Sequence, residues 1–205
     1  MTMTLSDEMV EELDFLEVIG GSPRAECEAK LRYALEVEPP NVIVEIGVLR
    51  GQGVCCLGCG SKRGHKVPVI GVDLFGLRPS RQGPTYDDPR NERVSRVSAD
   101  RFGLKGLVTL FRSESLQAAA IFALEKRPIG LLVIDAGHEY EDVAADATAW
   151  LPHVVPGGLL MMHDAKSPAW PGVDQVIAEQ IMASGEWDEL EFVPPFSAWF
   201  RRKAE

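Results

Sequence analysis

Five short runs of branched apolar residues recur along this chain, and a glycine or a polar residue ends each of them. The runs lie at residues 41–47, 67–73, 107–112, 129–135 and 158–163. Segments of helical character separate them, at residues 52–62, 90–102, 115–126 and 139–152. A strand that is apolar on both sides must be covered on both sides, as parallel strands between two layers of helices are. The alternation therefore predicts a doubly wound, Rossmann-like α/β fold with a mostly parallel sheet.

The two ends of the chain complete this pattern. Residues 5–37 have the apolar spacing of one or two amphipathic helices, which Pro39 and Pro40 terminate. A further helix and two closing strands lie at residues 173–184, 187–193 and 197–203. The predicted sheet therefore has seven strands. A chain of 205 residues suits one domain, so we predict a single domain over residues 1–205 with a helical N-terminal segment at residues 1–40.

The segment after the second strand interrupts the alternation. Residues 74–90 contain two glycines and three prolines, with Tyr86 among them. A loop of this length inside a compact domain is usually functional or disordered. We predict that it forms a lid over a ligand site, within residues 74–92.

The composition excludes several classes of function. The chain carries 21 basic and 31 acidic residues, and the net charge of −10 repels the phosphates of a nucleic acid. No apolar run approaches the roughly 18 residues of a membrane span, and acidic residues near the start of the chain oppose a secretory signal. We expect a cytoplasmic protein that acts on a small molecule and binds neither nucleic acid nor membrane. The oligomeric state stays open, although small domains of this kind often form homodimers.

Ligands of open parallel sheets bind beyond the carboxyl ends of the strands. In this chain, glycines and polar residues that could bind a ligand lie at those ends. Gly47, Gly51 and Gly53 follow the first strand and permit a tight turn and the close approach of a ligand to the backbone. Asp73 ends the second strand, 26 residues after Gly47, where a carboxylate can accept both hydroxyls of a ribose. These residues predict a nucleoside-containing ligand.

Short-chain dehydrogenases share this glycine spacing, but they require a Tyr-x-x-x-Lys pair for proton transfer. None of the three tyrosines in this chain has a lysine four positions later. The sequence therefore argues against hydride transfer.

The strand-end motifs resemble those of class I S-adenosylmethionine-dependent methyltransferases, in particular the type 24 methyltransferase domain family. The matching stretches are residues 44–51, 69–73, 109–115 and 134–164. In the third of these, Ser113 and Glu114 stand where the family usually has glycine and aspartate. The resemblance implies that S-adenosylmethionine is bound by Glu45, Gly47, Gly51, Gly53, Asp73, Ser113, Glu114 and Asp135.

A second part of the resemblance concerns a metal ion. Asp135 and Asp164 end neighbouring predicted strands, and two converging carboxylates repel each other unless a cation or proton lies between them. Metal-dependent methyltransferases of the catechol and macrolide-sugar types hold such a cation, which lowers the pKa of a bound hydroxyl. Where they have a first acidic or amide ligand, this chain has His163. We expect a divalent metal at Asp135, His163 and Asp164: magnesium, or a softer metal if the imidazole coordinates.

The predicted function is O-methylation of a small hydroxylated molecule, assisted by a divalent metal. Macrolide-sugar methyltransferases place their general base at the position of His138, and an imidazole titrates near the working pH. The predicted catalytic residues are therefore His138 and Asp135. Methylation of a nitrogen or carbon atom also stays open, because the cofactor motifs do not specify the acceptor. Two alternatives from other classes stay open as well: a non-haem iron oxygenase that uses Asp135, His138 and His163 as two histidines and a carboxylate, and a nucleoside-binding protein without turnover.

Overall fold

The computed structural model describes residues 7–76 and 88–204 of the chain. Within them the strands are β1 (Val42–Ile46), β2 (Val69–Asp73), β3 (Val108–Arg112), β4 (Ile129–Ile134), β5 (Val154–Met162), β6 (Trp187–Val193) and β7 (Ser197–Arg202). The helices are α1 (Asp7–Ile19), α2 (Arg24–Ala34), α3 (Gln52–Arg63), α4 (Arg90–Arg101), α5 (Ser115–Glu125), α6 (Tyr140–Trp150) and α7 (Pro171–Val176). A turn of 3₁₀-helix at Leu151–His153 follows α6, and a π-helical stretch at Ile177–Met182 continues α7.

The seven strands form one sheet in the order β3-β2-β1-β4-β5-β7-β6. Strands β1 to β5 run parallel, and β7 is antiparallel to both β5 and β6. This arrangement confirms the predicted doubly wound, mostly parallel sheet of seven strands. The strand order reverses between β1 and β4, and a cleft opens at the carboxyl ends of the strands at such a point.

The strand register determines which residues meet at that cleft. Ile46 of β1 pairs with Ile134 of β4, and Ile134 pairs with Met162 of β5. The residues that follow these three strand ends are therefore neighbours across the sheet, although they are far apart along the chain.

Strand β5 begins at Val154, four residues before the predicted start at residue 158. Its register against β4 shifts between Ile129 and Leu131, and Gly157 has a φ of +80°. This irregularity accommodates Pro156, whose missing N–H cannot join a regular ladder. The sequence signal failed here because a proline and two glycines resemble a turn.

Both faces of the sheet are covered. Apolar side chains of α5, α6 and α7 pack on one face, and those of α2 and α3 pack on the other. Leu13 and Leu16 of α1 are fully buried beside Leu31 and the α3 cysteines, so the N-terminal helices cover α3.

Two predictions concern segments rather than the sheet. The predicted lid at residues 74–92 falls mostly on residues 77–87, which lie outside the described residues. In the described part of the chain, no helix has both the length and the apolar character needed to cross a membrane.

Candidate active site

A cavity of about 690 Å³ opens at the carboxyl ends of the central strands, within the size range of small-molecule sites. The predicted site residues that line it are Glu45, Gly47, Gly53, Asp73, Ser113, Glu114, Asp135, His138, His163 and Asp164. Gly51 lies instead at the N-cap of α3, packed against Ser95. The fold thus brings residues from the ends of β1 to β5 to one cavity.

The turn between β1 and α3 forms one wall of the cavity. Gly47 has a φ of +89°, and a Cβ atom there would lie 2.0 Å from the carbonyl oxygen of Asp135. A Cβ atom at Gly53 would lie 1.9 Å from Oε1 of Glu45. Neither position has room for a Cβ atom, because the protein's own backbone or side-chain atoms already lie against it. Both positions therefore require glycine even when no ligand is bound.

Asp73 holds this turn in place. Its Oδ2 accepts hydrogen bonds from the backbone N–H groups of Val48 (2.7 Å) and Leu49 (3.0 Å), and its Oδ1 accepts one from Phe75 (2.7 Å). A carboxylate has about four acceptor positions, so roughly one is left for a ligand hydroxyl. Asp73 therefore has a structural role besides its predicted contact with a ribose.

Residues at the start of α5 form the opposite wall. The backbone N–H of Ser113 donates to the carbonyl oxygen of Asp73 (3.0 Å), which joins the ends of β2 and β3. Ser115 Oγ donates to Oδ1 of Asp146 (2.5 Å) and accepts from Nε1 of Trp150 (2.8 Å). Burial raises the pKa of Asp146 to about 6. Asp146 lines the cavity, and the sequence analysis missed it because a carboxylate in mid-helix carries no local sign of burial.

Two aspartates and two histidines converge where β4 and β5 end. Nδ1 of His163 lies 2.9 Å from Oδ1 of Asp135 and 3.5 Å from Oδ2 of Asp164. Nε2 of His138 lies 3.3 Å from Oδ2 of Asp164 and 3.6 Å from Oδ1 of Asp135. These four atoms form a closed ring in which nitrogen and oxygen alternate. We refer to these four residues as the Asp–His cluster.

The charges of this cluster stabilise one another. Burial lowers the pKa of His163, but the carboxylates around it, Asp135 foremost, raise it to about 11. Burial acts in the opposite direction on Asp135, where the charge of His163 and the close contacts with both histidines hold the pKa well below its usual range. Without a bound cation, His163 is therefore an imidazolium beside the ionised carboxylate of Asp135.

Part of the cluster also fits a divalent metal ion, since ligand atoms of Asp135, His138 and His163 all lie within 4.8 Å of one another. Ligand atoms about 2.1 Å from one metal in tetrahedral or octahedral geometry lie roughly 3.0–3.4 Å apart, close to the separations in the ring. Nδ1 of His163 is buried and, among the described residues, makes no well-aligned hydrogen bond. A metal would take the place of its proton. Mixed imidazole and carboxylate donors suit Mn, Fe, Co or Zn better than Mg.

A buried lysine, Lys30, lies beneath the cluster among three carboxylates, and the sequence analysis did not predict it. Nζ of Lys30 is 3.0 Å from Oε1 of Glu45, 3.2 Å from Oε1 of Glu26 and 3.8 Å from Oδ2 of Asp135. Burial lowers the pKa of Lys30, but these carboxylates raise it above its ordinary value. Burial raises the pKa of Glu45 to about 7, although Lys30 opposes the shift. The one signal in the sequence was a pair of opposite charges at i and i+4 on the apolar face of α2.

The loop between α1 and α2 covers the remaining side of the cavity. Gln52 accepts a hydrogen bond from the backbone N–H of Ser22 and donates to the carbonyl oxygens of Leu16 (3.1 Å) and Ser22 (3.0 Å).

The ring of Trp170 lies 5.3 Å from that of His138. The Asp–His cluster therefore faces a partly aromatic compartment next to the glycine turn.

The sequence model of a family described as a methyltransferase domain matches residues 44–165, from within β1 to just beyond β5. Several solved structures share the fold. CalS11, a TDP-rhamnose 3′-O-methyltransferase of calicheamicin biosynthesis, is 18% identical, with a TM-score of 0.63 over 97% of this chain and 96% of that one. An O-methyltransferase from Bacillus cereus in complex with SAH is 16% identical, with a TM-score of 0.65 over 99% and 93%. The O-methyltransferase NovP is 18% identical, with a TM-score of 0.58 over 92% and 79%. A comparison with curated protein sequences finds no match.

Proposed function

This chain belongs to the methyltransferase domain family, and from that premise we propose that it transfers the methyl group of S-adenosylmethionine to a hydroxyl group of a small molecule. The observation that carries the proposal is the continuity of one cavity. The glycine turn and Asp73 form one end of it, and the Asp–His cluster forms the other. A nucleoside at the first end would thus adjoin the imidazole of His138 at the second.

The cofactor end is supplied by the turn and by the start of α5. S-adenosylmethionine, when bound, supplies the methyl group on a sulfonium centre. We propose that Gly47, Gly53, Ser113 and Glu114 surround it and that Asp73 accepts from its ribose. Glu45 and Asp135 line the same wall. Methyl transfer depends mainly on orientation, and the backbone contacts of Asp73 make this wall rigid.

His138 is the proposed general base. Its side chain is only 12% exposed, and its Nε2 points toward the two carboxylates of the cluster. When a metal ion is held by the carboxylates of Asp135 and Asp164, His138 no longer has to donate to them, and it can take the proton of an acceptor hydroxyl that lies against Trp170. The low exposure keeps bulk water away from the proton transfer.

A divalent metal would be held by Asp135, His163 and Asp164. When bound, it would act as a Lewis acid that lowers the pKa of the acceptor hydroxyl. In this proposal His138 is the base rather than a ligand. Because it also lies within 4.8 Å of ligand atoms of Asp135 and His163, an experiment has to distinguish the two roles. If His138 is the base, His138→Gln should leave Mn²⁺ affinity within about twofold but lower turnover roughly 100-fold. If His138 is a metal ligand, the same variant should lose both Mn²⁺ affinity and turnover.

The test is a methyl-transfer assay with S-adenosylmethionine labelled in the methyl group. The acceptor panel contains catechols, other phenols, hydroxy acids and nucleotide-linked sugars, the last because CalS11 acts on TDP-rhamnose. Each acceptor is tried with chelator, Mg²⁺, Mn²⁺ and Co²⁺. We expect label on an acceptor oxygen in the presence of metal. Tight binding of S-adenosylhomocysteine without transfer to any acceptor would instead favour a nucleoside-binding protein.

One observation favours a second function. Ligand atoms of Asp135, His138 and His163 all lie within 4.8 Å of one another, which is the composition of a two-histidine, one-carboxylate iron site. An oxygenase of this kind would form product with Fe²⁺ and O₂ when no methyl donor is present. The adjoining glycine turn has no role in that reaction, so we place it second.

A further inference from the structure

Two charged residues of α2 are buried directly behind the Asp–His cluster. Glu26 is 1% exposed and Lys30 is 0% exposed. Lys30 contacts Glu26 one helical turn away, at 3.2 Å, and Ser197 at the start of β7 donates a hydrogen bond to Oε2 of Glu26 (2.7 Å). The pair is therefore fixed by contacts with β1 and β7 as well as within its own helix.

Each of the two residues faces the rear atom of one cluster residue. Lys30 Nζ lies 3.8 Å from Oδ2 of Asp135, whose other oxygen, Oδ1, faces the cluster. Glu26 Oε2 lies 3.4 Å from Nε2 of His163, whose other nitrogen, Nδ1, faces the cluster. Contacts to the rear atoms leave Oδ1 and Nδ1 pointing toward the site.

Stability alone is a poor explanation for this pair. Burying ionised groups costs free energy, and a buried ion pair is often no more stabilising than apolar residues of the same volume. Orientation of a histidine through a carboxylate on its far nitrogen is, in contrast, a recurring device at metal sites, where its loss typically costs 10–100-fold in affinity or activity.

We infer that Glu26 and Lys30 are positioning residues, which hold His163 and Asp135 in the orientation that presents Nδ1 and Oδ1 to the reaction centre. This inference rests on the proposed function, because it assigns a purpose to the orientation of two residues of that site. Glu26 sets the direction of the His163 ring, and Lys30 sets that of the Asp135 carboxylate while balancing the charge of Glu45.

The test compares Glu26→Gln with Glu28→Gln. The amide keeps the shape of Glu26 but removes its charge, and Glu28 lies on the same helix with a side chain 39% exposed, paired with Arg24. Calorimetry measures the binding of Co²⁺ alone and of S-adenosylhomocysteine alone. We expect Glu26→Gln to weaken Co²⁺ binding by roughly 10-fold or more with unchanged S-adenosylhomocysteine binding, and Glu28→Gln to match the unchanged protein.

Two results would overturn the inference. One is Co²⁺ affinity in Glu26→Gln that equals that of the unchanged protein, and the other is a parallel loss of S-adenosylhomocysteine binding, which would mean a general structural role. Absence of Co²⁺ binding by the unchanged protein would refute the proposed metal instead. A crystal structure of Glu26→Gln then decides the positioning role: the 2.9 Å separation of His163 Nδ1 and Asp135 Oδ1 should grow by more than about 0.5 Å, and an unaltered separation excludes it.

Discussion

Asp146 lines the cavity as a buried carboxylate, and we predict that replacing it with asparagine removes a pH-dependent loss of stability. Its pKa is raised from 3.8 to about 6 by burial, so the folded state binds the proton more tightly than the unfolded state does. Stability therefore falls as the pH rises from about 4 to 6 and stays lower above that. One pKa unit corresponds to about 1.36 kcal/mol, so the whole loss is about 3 kcal/mol.

The side-chain amide introduced by Asp146→Asn would keep the oxygen that accepts from Ser115 but would carry no charge at any pH. The difference in free energy of unfolding between Asp146→Asn and the unchanged protein should therefore shift by about 2.5 kcal/mol in favour of the variant from pH 4 to pH 8, which is most of the whole loss. Urea unfolding followed by tryptophan fluorescence measures it. Glu141→Gln, an exposed position on the same helix, serves as the control. A difference that does not change with pH would refute the reasoning.

Four further predictions concern the site. His138→Ala should lower turnover by roughly 100-fold with unchanged S-adenosylhomocysteine binding, and high pH should restore part of the rate; a normal rate would exclude it as the base. A chelator should abolish methyl transfer, and full activity in excess chelator would refute the proposed metal. His163→Asp should move the metal preference toward Mg²⁺, because it supplies an oxygen ligand in place of the imidazole. Asp73→Ala should weaken S-adenosylhomocysteine binding about 10-fold or more. It should also lower the free energy of unfolding by roughly 1–3 kcal/mol, since three backbone N–H groups lose their acceptor. An unchanged affinity for S-adenosylhomocysteine in calorimetry would show that Asp73 does not contact the cofactor. Gly47→Ala should fail to give folded protein because its Cβ would lie 2.0 Å from a backbone carbonyl oxygen, whereas Gly106→Ala, also at positive φ but with no described atom within 4 Å, should fold; equal thermal midpoints would contradict this.

The sequence predicted the sheet and the positions of the site residues because both depend on local patterns. An apolar run on a buried parallel strand is recognisable by itself, and the residue that ends it lies at the cavity edge. Asp73, Asp135 and His163 were found in this way, and each lines the cavity. The start of β5 was missed, since Pro156 and its glycines have the local appearance of a turn although pairing with β4 extends through them.

Local sequence patterns therefore identify the strand ends that carry polar side chains, whereas the meeting of these ends in one cavity depends on the tertiary structure. The register Ile46–Ile134–Met162 brings the ends of β1, β4 and β5 together, and no local signal encodes that pairing. The charges of Glu26 and Lys30 on α2 look like an ordinary helical ion pair until packing against the sheet buries them. Burial is a property of the whole fold, and it is burial among the side chains of β1 and β7 that gives these two residues fixed directions.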